Sequence, residues 1–252
     1  MTDLKLRNIG YCCESKTIIN DISLEVSKGD WLAIAGRNGS GKSTLLRIMA
    51  NLIKPSTGDI LLNGKDFEEI DCINQKLSIM SQRSEINGDM SVDDLVRLGR
   101  YPYLSNWQFK LSDEDEKFVE DAINFTGLTN FKNRRVTSLS GGERQRAFLA
   151  LALAQDGSII LFDEPTNHLD IVAQRKILQL LKRLANNGKT IISVLHDLNQ
   201  IGNYCNKLAL LNNGKLSGFG DIPETLTSSC LSEAFGININ VTRHGERIHV
   251  NY

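Results

Sequence analysis

Apolar and polar residues alternate over the first part of the chain: Leu4, Leu6 and Ile9, then Ile18, Ile22, Leu24 and Val26. A period of two predicts half-buried strands over 3–10 and 17–27, an antiparallel layer with one apolar face. At Trp31 the alternation gives way to an unbroken apolar run ending at Ala35, the pattern of a strand buried on both faces. Leu45, Leu46, Ile48 and Met49 then recur at helical spacing. A short strand over Asp59 to Asn63 closes at Asn63-Gly64, a polar helical stretch follows, and Leu77 to Met80 reads as another buried strand. The same unbroken apolar pattern returns at Ser158 to Phe162 and Thr190 to Leu195. Between those two runs Asp170 to Asn187 is helical, with Ile177, Leu181 and Leu184 on one face and a stop at Asn187-Gly188. Leu208 to Leu211 and Lys215 to Phe219 flank Asn212-Asn213-Gly214 as a hairpin. A small helical tail starts at Pro223, and 240–250 forms a last hairpin around His244-Gly245.

The stretch from about 86 to 137 breaks the strand–helix rhythm. Ser91 with Asp94, and Ser112 with Asp115, are capping signatures that open two helices with no strand between them. A third helix starts after Ser140-Gly141-Gly142-Glu143. The fold class that follows is α/β: a phosphate-loop core of parallel strands flanked by helices, an N-terminal antiparallel β layer, and a helical subdomain inserted at about 86–157. The whole, 1–252, reads as one domain with a small tail over 221–252.

Composition changes this picture little. The chain is 41% apolar and 23% charged, with a net charge of −1. There is no basic footprint for nucleic acid. Met1 to Lys5 lacks the apolar core of a signal peptide, and no run of 18 apolar residues occurs. The expectation is a cytosolic chain that meets a membrane only through a partner. Five cysteines (Cys12, Cys13, Cys72, Cys205, Cys230) have no metal-ligand spacing and read as reduced structural thiols.

The chemistry is concentrated in Gly36-Arg37-Asn38-Gly39-Ser40-Gly41-Lys42-Ser43-Thr44, which fits Gly-x-x-x-x-Gly-Lys-Ser. Placed between a buried strand and a helix N-terminus, it offers bare N–H groups and a helix dipole to a polyanion. Lys42 would contact the β- and γ-phosphates, and the Ser43 hydroxyl would ligate Mg²⁺. A nucleotide site also needs a second carboxylate and a group that activates water. Asp163-Glu164 ends the apolar run Ser158 to Phe162, at the strand edge where open parallel sheets bind ligands. Asp163 suits the Mg²⁺ shell, and Glu164 suits a general base.

With Leu139-Ser140-Gly141-Gly142-Glu143 added, the chain resembles the ATP-binding cassette ATPases. The order of motifs is that family's: phosphate loop, glutamine loop at Gln82, helical insert, signature at Ser140, Asp163-Glu164, and a strand ending in His196. The resemblance implies ATP as substrate with Mg²⁺, and roles residue by residue. Tyr11 would stack on adenine, and Gln82 would contact Mg²⁺ or water and link to the helical subdomain. His196 would contact the γ-phosphate, and Asn167 and Asp170 would signal across a dimer. Ser140, Gly141 and Gly142 would close over the ATP of a second copy. Glu143 stands where glutamine is commoner in the family.

Leu98-Gly99-Arg100-Tyr101-Pro102-Tyr103-Leu104, with Trp107, is similar to the subfamily serving siderophore, haem and cobalamin uptake. That resemblance implies a subunit on the cytoplasmic face of the membrane. Its partners would be permease subunits and, indirectly, an extracytoplasmic substrate-binding protein. The alternative is a soluble cassette ATPase acting on a protein assembly, such as one that builds iron–sulphur clusters.

Overall fold

The computed structural model describes residues 2–81, 89–104, 110–245 and 247–251. In chain order the strands and helices of the first part are β1 (Thr2–Cys13), β2 (Lys16–Ser27), β3 (Trp31–Gly36), α1 (Lys42–Met49), β4 (Thr57–Leu62), β5 (Lys65–Asp66) and β6 (Leu77–Met80). Then come α2 (Val92–Arg97), α3 (Asp113–Phe125), α4 (Gly141–Ala154), β7 (Ile159–Asp163) and α5 (Ile171–Asn186). The last part holds β8 (Thr190–Val194), α6 (Leu198–Tyr204), β9 (Lys207–Asn212), β10 (Lys215–Asp221), α7 (Ile222–Thr225), α8 (Ser228–Phe235), β11 (Asn240–His244) and β12 (Arg247–Asn251). The chain divides into two compact units, one of residues 1–70 and 182–252, the other of 71–181.

The first unit contains the antiparallel layer β2-β1-β4-β5, whose alternating Leu4, Leu6, Ile9, Ile22, Leu24 and Val26 are all buried. It also contains β3, which pairs in parallel with β9 on one side and β8 on the other. Every residue of β3 and β8 is buried, as a strand covered on both faces requires. Trp31 is anchored within this layer by its indole N–H, which donates to Ser193 Oγ at 2.8 Å. A buried Trp settles where its polar edge finds an acceptor.

In the second unit, β6 and β7 pair in parallel. Its helices share a core in which Val92, Val96, Val119, Ile123, Ala147 and Ala150 meet. The predicted caps are made: Ser91 with Asp94 and Ser112 with Asp115 each form a reciprocal capping box. Arg100, 4% exposed, locks the segment after α2. Its Nε donates to Asp115 at 2.8 Å, Nη1 donates to the Ala154 carbonyl at 2.8 Å, and its guanidinium lies over the Tyr103 and Phe118 rings.

Two local expectations need correcting. The polar stretch after Asn63-Gly64 is not a helix. It forms β5 and two single 3₁₀ turns, Phe67–Glu69 and Ile73–Gln75, interrupted at Cys72 with φ 53°. Of its apolar residues Phe67, Ile70 and Ile73 only Phe67 is buried, too little docking to offset the nucleation cost of a helix of that length. All five cysteines are free, but Cys12, Cys13 and Cys72 are exposed, so only Cys205 is a core thiol; burial pushes its ionisation well up.

Candidate functional site

In the first unit the phosphate loop leaves the C-terminal end of β3. Gly36 has φ 148° and runs so close to Leu211 that an added Cβ would lie 2.1 Å from its carbonyl oxygen. Gly41 has φ 99° and is the N-cap of α1, so no side chain covers the first-turn N–H groups. A Cβ there would meet Ile18 O at 3.0 Å and Ile19 Cδ1 at 2.7 Å. Both glycines are therefore required by conformation and by space. Lys42 is buried and its Nζ donates to the carbonyls of Gly36 and Arg37, 2.9 Å each, which holds the ammonium inside the curve of the loop. The Ser40 hydroxyl is buried and, among the described residues, has no hydrogen-bond partner. An unmet buried hydroxyl costs free energy, so an incoming oxyanion would relieve it. Arg37, Asn38 and Gly39 are exposed at the crest, and Ser43 and Thr44 open α1.

His196 and Tyr11 belong to the same unit. β3 and β8 lie side by side in parallel, with Ile34 opposite Val194, so the phosphate loop and exposed His196 leave the same sheet edge. Leu195 N–H still donates to Ile34 O at 3.2 Å, which carries the pairing to within one residue of the histidine. Half-buried Tyr11 is paired in register with Ile19, the residue that abuts Gly41. The ladder slips between Tyr11 and Cys12, so Ile18 bulges toward the loop.

The second unit carries the other motifs. Buried Asp163 ends β7, and Glu164 follows with φ 57°, a left-handed conformation that non-glycine residues adopt at a cost of about 1–3 kcal/mol. Asn167 holds this strained residue: its side-chain amide donates to Glu164 Oε2, and its N–H donates to Glu164 O at 3.2 Å. Gln145 Nε2 donates to Pro165 O at 2.8 Å, and Gln174 Nε2 reaches the carbonyls of Thr166 and Leu169 at 3.2 Å. Asp170 caps the next helix, accepting from Ala173 N–H at 2.8 Å.

Ser140 is the N-cap of α4, and Gly141 and Gly142 form its first turn. A Cβ on Gly142 would sit 2.8 Å from Ala173 Cβ, so the glycine permits the close approach of two helix starts. Around them is a cavity of about 290 Å³ bounded by Ser140, Gly142, Arg146, His168, Asp170 and Lys176. The helix N-terminus, Arg146 and Lys176 favour an anion here, opposed by the carboxylates of Glu143 and Asp170. Glu143 completes the cap: its carboxylate accepts from Ser140 N–H and Oγ, 2.9 Å each. Those bonds, the backbone one first, hold its carboxyl below the usual range. Exposed Val172 also lines this cavity.

Gln82 and Trp107 lie outside the described residues. Two supports escaped the sequence reading. Gly214, at the β9–β10 turn, donates to Ser40 O at 3.1 Å and accepts from Asn20 N–H at 2.8 Å, so it buttresses the phosphate loop from behind. Its Asn213-Gly214 signal announces a turn, but nothing local says where the turn lands. Gln145 lies on the helix that follows Ser140, and nothing in its neighbourhood says that it braces Pro165. As for Mg²⁺, this ion keeps water and phosphate ligands and needs only one or two protein oxygens. The Ser43 hydroxyl of the first unit and the Asp163 carboxylate of the second are each an oxygen donor of the kind Mg²⁺ takes, and among the described residues no group of three or more His, Cys, Asp or Glu could hold a metal ion.

A glycine loop that leads a buried parallel strand into a helix, with a buried lysine folded into it, defines a phosphate-loop nucleoside triphosphatase. The comparisons narrow the class. The ABC transporter family model matches residues 19–167, and the chain belongs to that family and is an ATP-hydrolysing cassette. It is 40% identical over 239 residues to the "Probable siderophore transport system ATP-binding protein YusV" of Bacillus subtilis (strain 168), covering 94% of this chain and 86% of that one. Among solved structures it superposes on a metal-chelate type ABC transporter in an inward-facing conformation, with a TM-score of 0.87 and 30% identity over 100% of this chain and 96% of the other. A dimeric bacterial ABC transporter cassette matches at TM-score 0.74 and 28% identity, over 87% of this chain and 98% of that one. Among the described residues no helix is long and apolar enough to cross a membrane.

Proposed function

We propose that this chain is the ATP-hydrolysing subunit of an importer for an iron-siderophore-type chelate, working as a homodimer on the cytoplasmic face of the membrane. The surface of the helical segment carries this reading. Leu98, Tyr101, Leu104 and Leu111 line a groove of about 540 Å³ whose rim is charged by Asp94, Arg97, Lys110 and Glu116. Tyr101 is 63% exposed there, whereas Tyr103, from the same motif, turns inward and donates to Gln155 O at 2.8 Å. One aromatic packs the subdomain and the other is offered to a partner. An apolar floor with a charged rim suits a cytoplasmic helix of a permease. The likeness to a siderophore-system protein and a metal-chelate transporter supplies the cargo class.

In this reading residues 1–252 act as one ATPase domain with its helical insert at about 86–157 and its tail at 221–252. ATP lies in the cradle from Gly36 to Thr44, with Tyr11 on the adenine and Lys42 on the phosphates. Ser43, Gln82 and Asp163 would hold Mg²⁺, whose charge offsets that gathering on the phosphate oxygens. Glu164 takes the proton of the attacking water, and His196 holds the γ-phosphate oxygens. Ser140, Gly141 and Gly142 of a second copy close over the same phosphates, and Asn167 and Asp170 report that closure across the pair. Permease subunits convert closure into transport, and a substrate-binding protein delivers the chelate from outside.

The test is isolation from membranes together with a multi-span permease subunit. Wild-type chain should co-purify with it, and Tyr101→Glu should not, while the variant keeps its ATPase activity in isolation. Recovery of the wild-type chain with a soluble assembly instead would favour a cassette ATPase of the iron–sulphur type.

A further inference from the structure

The terminal hairpin of β11 and β12 holds none of the nucleotide motifs, yet it is fastened to the helix that follows His196. That helix, α6, has seven residues, too few to keep its shape unaided. Its buried side is Leu198 and Ile201. A second stripe, Asn199, Gly202 and Asn203, is spaced i, i+3, i+4 and faces β12. Asn199 Nδ2 donates to Val250 O at 3.2 Å, and its Oδ1 accepts Val250 N–H at 2.9 Å. Asn203 repeats the pattern one strand period away, with Nδ2 to Ile248 O at 2.9 Å and Oδ1 from Ile248 N–H at 3.4 Å. Two carboxamides thus take the place of a neighbouring strand along the edge of β12 that β11 leaves unpaired. Gly202 lets them reach it: a Cβ there would lie 2.8 Å from Leu226 Cδ2 and 3.0 Å from Ile248 Cβ. A glycine inside so short a helix weakens it, and the close approach of the tail accounts for its presence.

The other end of α6 starts at the switch. Asp197 is its N-cap, accepting from Asn199 N–H at 2.8 Å and Gln200 N–H at 3.3 Å, and the residue before it is His196. The first turn of α6 therefore sets where the histidine leaves β8. Burial of Ile248 and Val250 would hold the tail in place without direction. Paired donor–acceptor contacts at two successive turns fix its register as well.

We propose that Asn199 and Asn203 are positioning residues for hydrolysis: the terminal hairpin is a strap that holds α6, and through it His196, where the histidine meets the γ-phosphate. This rests on the role given to His196 above. In the whole 252-residue chain, Asn199→Ala/Asn203→Ala should lower kcat on the order of tenfold, the scale of a small misplacement of a reacting group. Equilibrium ATP binding should stay within about twofold, because the cradle is untouched. Val250→Pro removes the N–H that Asn199 accepts and reshapes the buried Val250 side chain, at an edge position that tolerates proline. It should slow turnover alone and add nothing to the double variant. Unchanged kcat in the double variant overturns the strap, as does an ATP affinity that falls in step with kcat, or losses from Val250→Pro that simply add. His196→Ala separates the two layers. Wild-type turnover in that variant removes the role of His196 itself, whereas slow His196→Ala beside fast Asn199→Ala/Asn203→Ala overturns the strap alone.

Discussion

Each unit of the chain presents a helix that starts on glycines, and the two starts are built differently. α1 begins at Gly41, with no side chain over its first turn and with Lys42 folded beneath the loop. α4 begins at Ser140, whose hydroxyl and N–H are already engaged by the Glu143 carboxylate. The first start has no side-chain cap and turns its dipole toward a ligand. The second has satisfied part of its donors internally and keeps a negative charge beside its anion cavity. An isolated copy should therefore capture nucleotide at the α1 end alone. In the proposed dimer the α4 end would become useful once phosphates already held by another copy are brought to it.

The largest expected effect separates binding from chemistry. Glu164→Gln keeps the shape of the side chain and its link to Asn167 but removes the proposed general base. Turnover should fall about 10²- to 10⁴-fold. ATP binding and ATP-dependent dimerisation should persist, measured by equilibrium binding and sedimentation. Turnover at the wild-type rate would sink the assignment of Glu164. Next in size, Lys42→Ala removes a charged donor from the α1 end. ATP affinity should drop about 10- to 100-fold, the worth of one charge-assisted hydrogen bond. If affinity holds instead and only turnover suffers, the contrast between the two helix starts is wrong.

A smaller effect is expected from the packing that shapes the α4 end. Gly142→Val drives a branched side chain into Ala173, already 2.8 Å from the position of a Cβ. Overpacking of this kind costs about 1–3 kcal/mol, read as a lower Tm. It should also weaken ATP-driven dimerisation of the Glu164→Gln background while leaving monomer ATP affinity unchanged. Loss of monomer affinity would place Gly142 in the cis site rather than the trans one.

The β layer, the loop, the capped helices and the terminal hairpin were legible because each is written in local periodicity or in a turn dipeptide. What was not legible joins residues far apart in the chain. Gly214 supports Ser40, and Asn199 pairs with Val250. A polar stripe such as Asn199-Gly202-Asn203 reads locally as solvent-facing, because nothing in its neighbourhood names a strand edge as its partner. Residues 65–76 misled for the opposite reason. Their polarity is compatible with a helix, but a helix needs something to dock against. Glu143 was legible as the last residue of the helix-opening Ser140-Gly141-Gly142-Glu143 and as a departure from the family's glutamine. Only the geometry says that the first of these matters structurally.

Glu143 also yields the smallest and most specific prediction. Glutamine at this position can still accept from Ser140 N–H and Oγ, so Glu143→Gln should keep the cap and lose only the charge beside the cavity. The carboxyl is held below its usual range by those same bonds. A depressed folded-state ionisation contributes stability above the ordinary carboxylate range, and that contribution is lost as pH falls through the folded value. At neutral pH the glutamate is therefore fully charged and repels an incoming phosphate, while glutamine does not. In the Glu164→Gln background, Glu143→Gln should tighten ATP-driven dimerisation a few-fold at pH 7, an effect of about 0.3–1 kcal/mol expected of one charge near a helix end. The gap should shrink in high salt, and it should close at acid pH as Glu143 takes up its proton. A gap independent of both pH and salt would mean that the carboxylate acts through the cap and not through its charge.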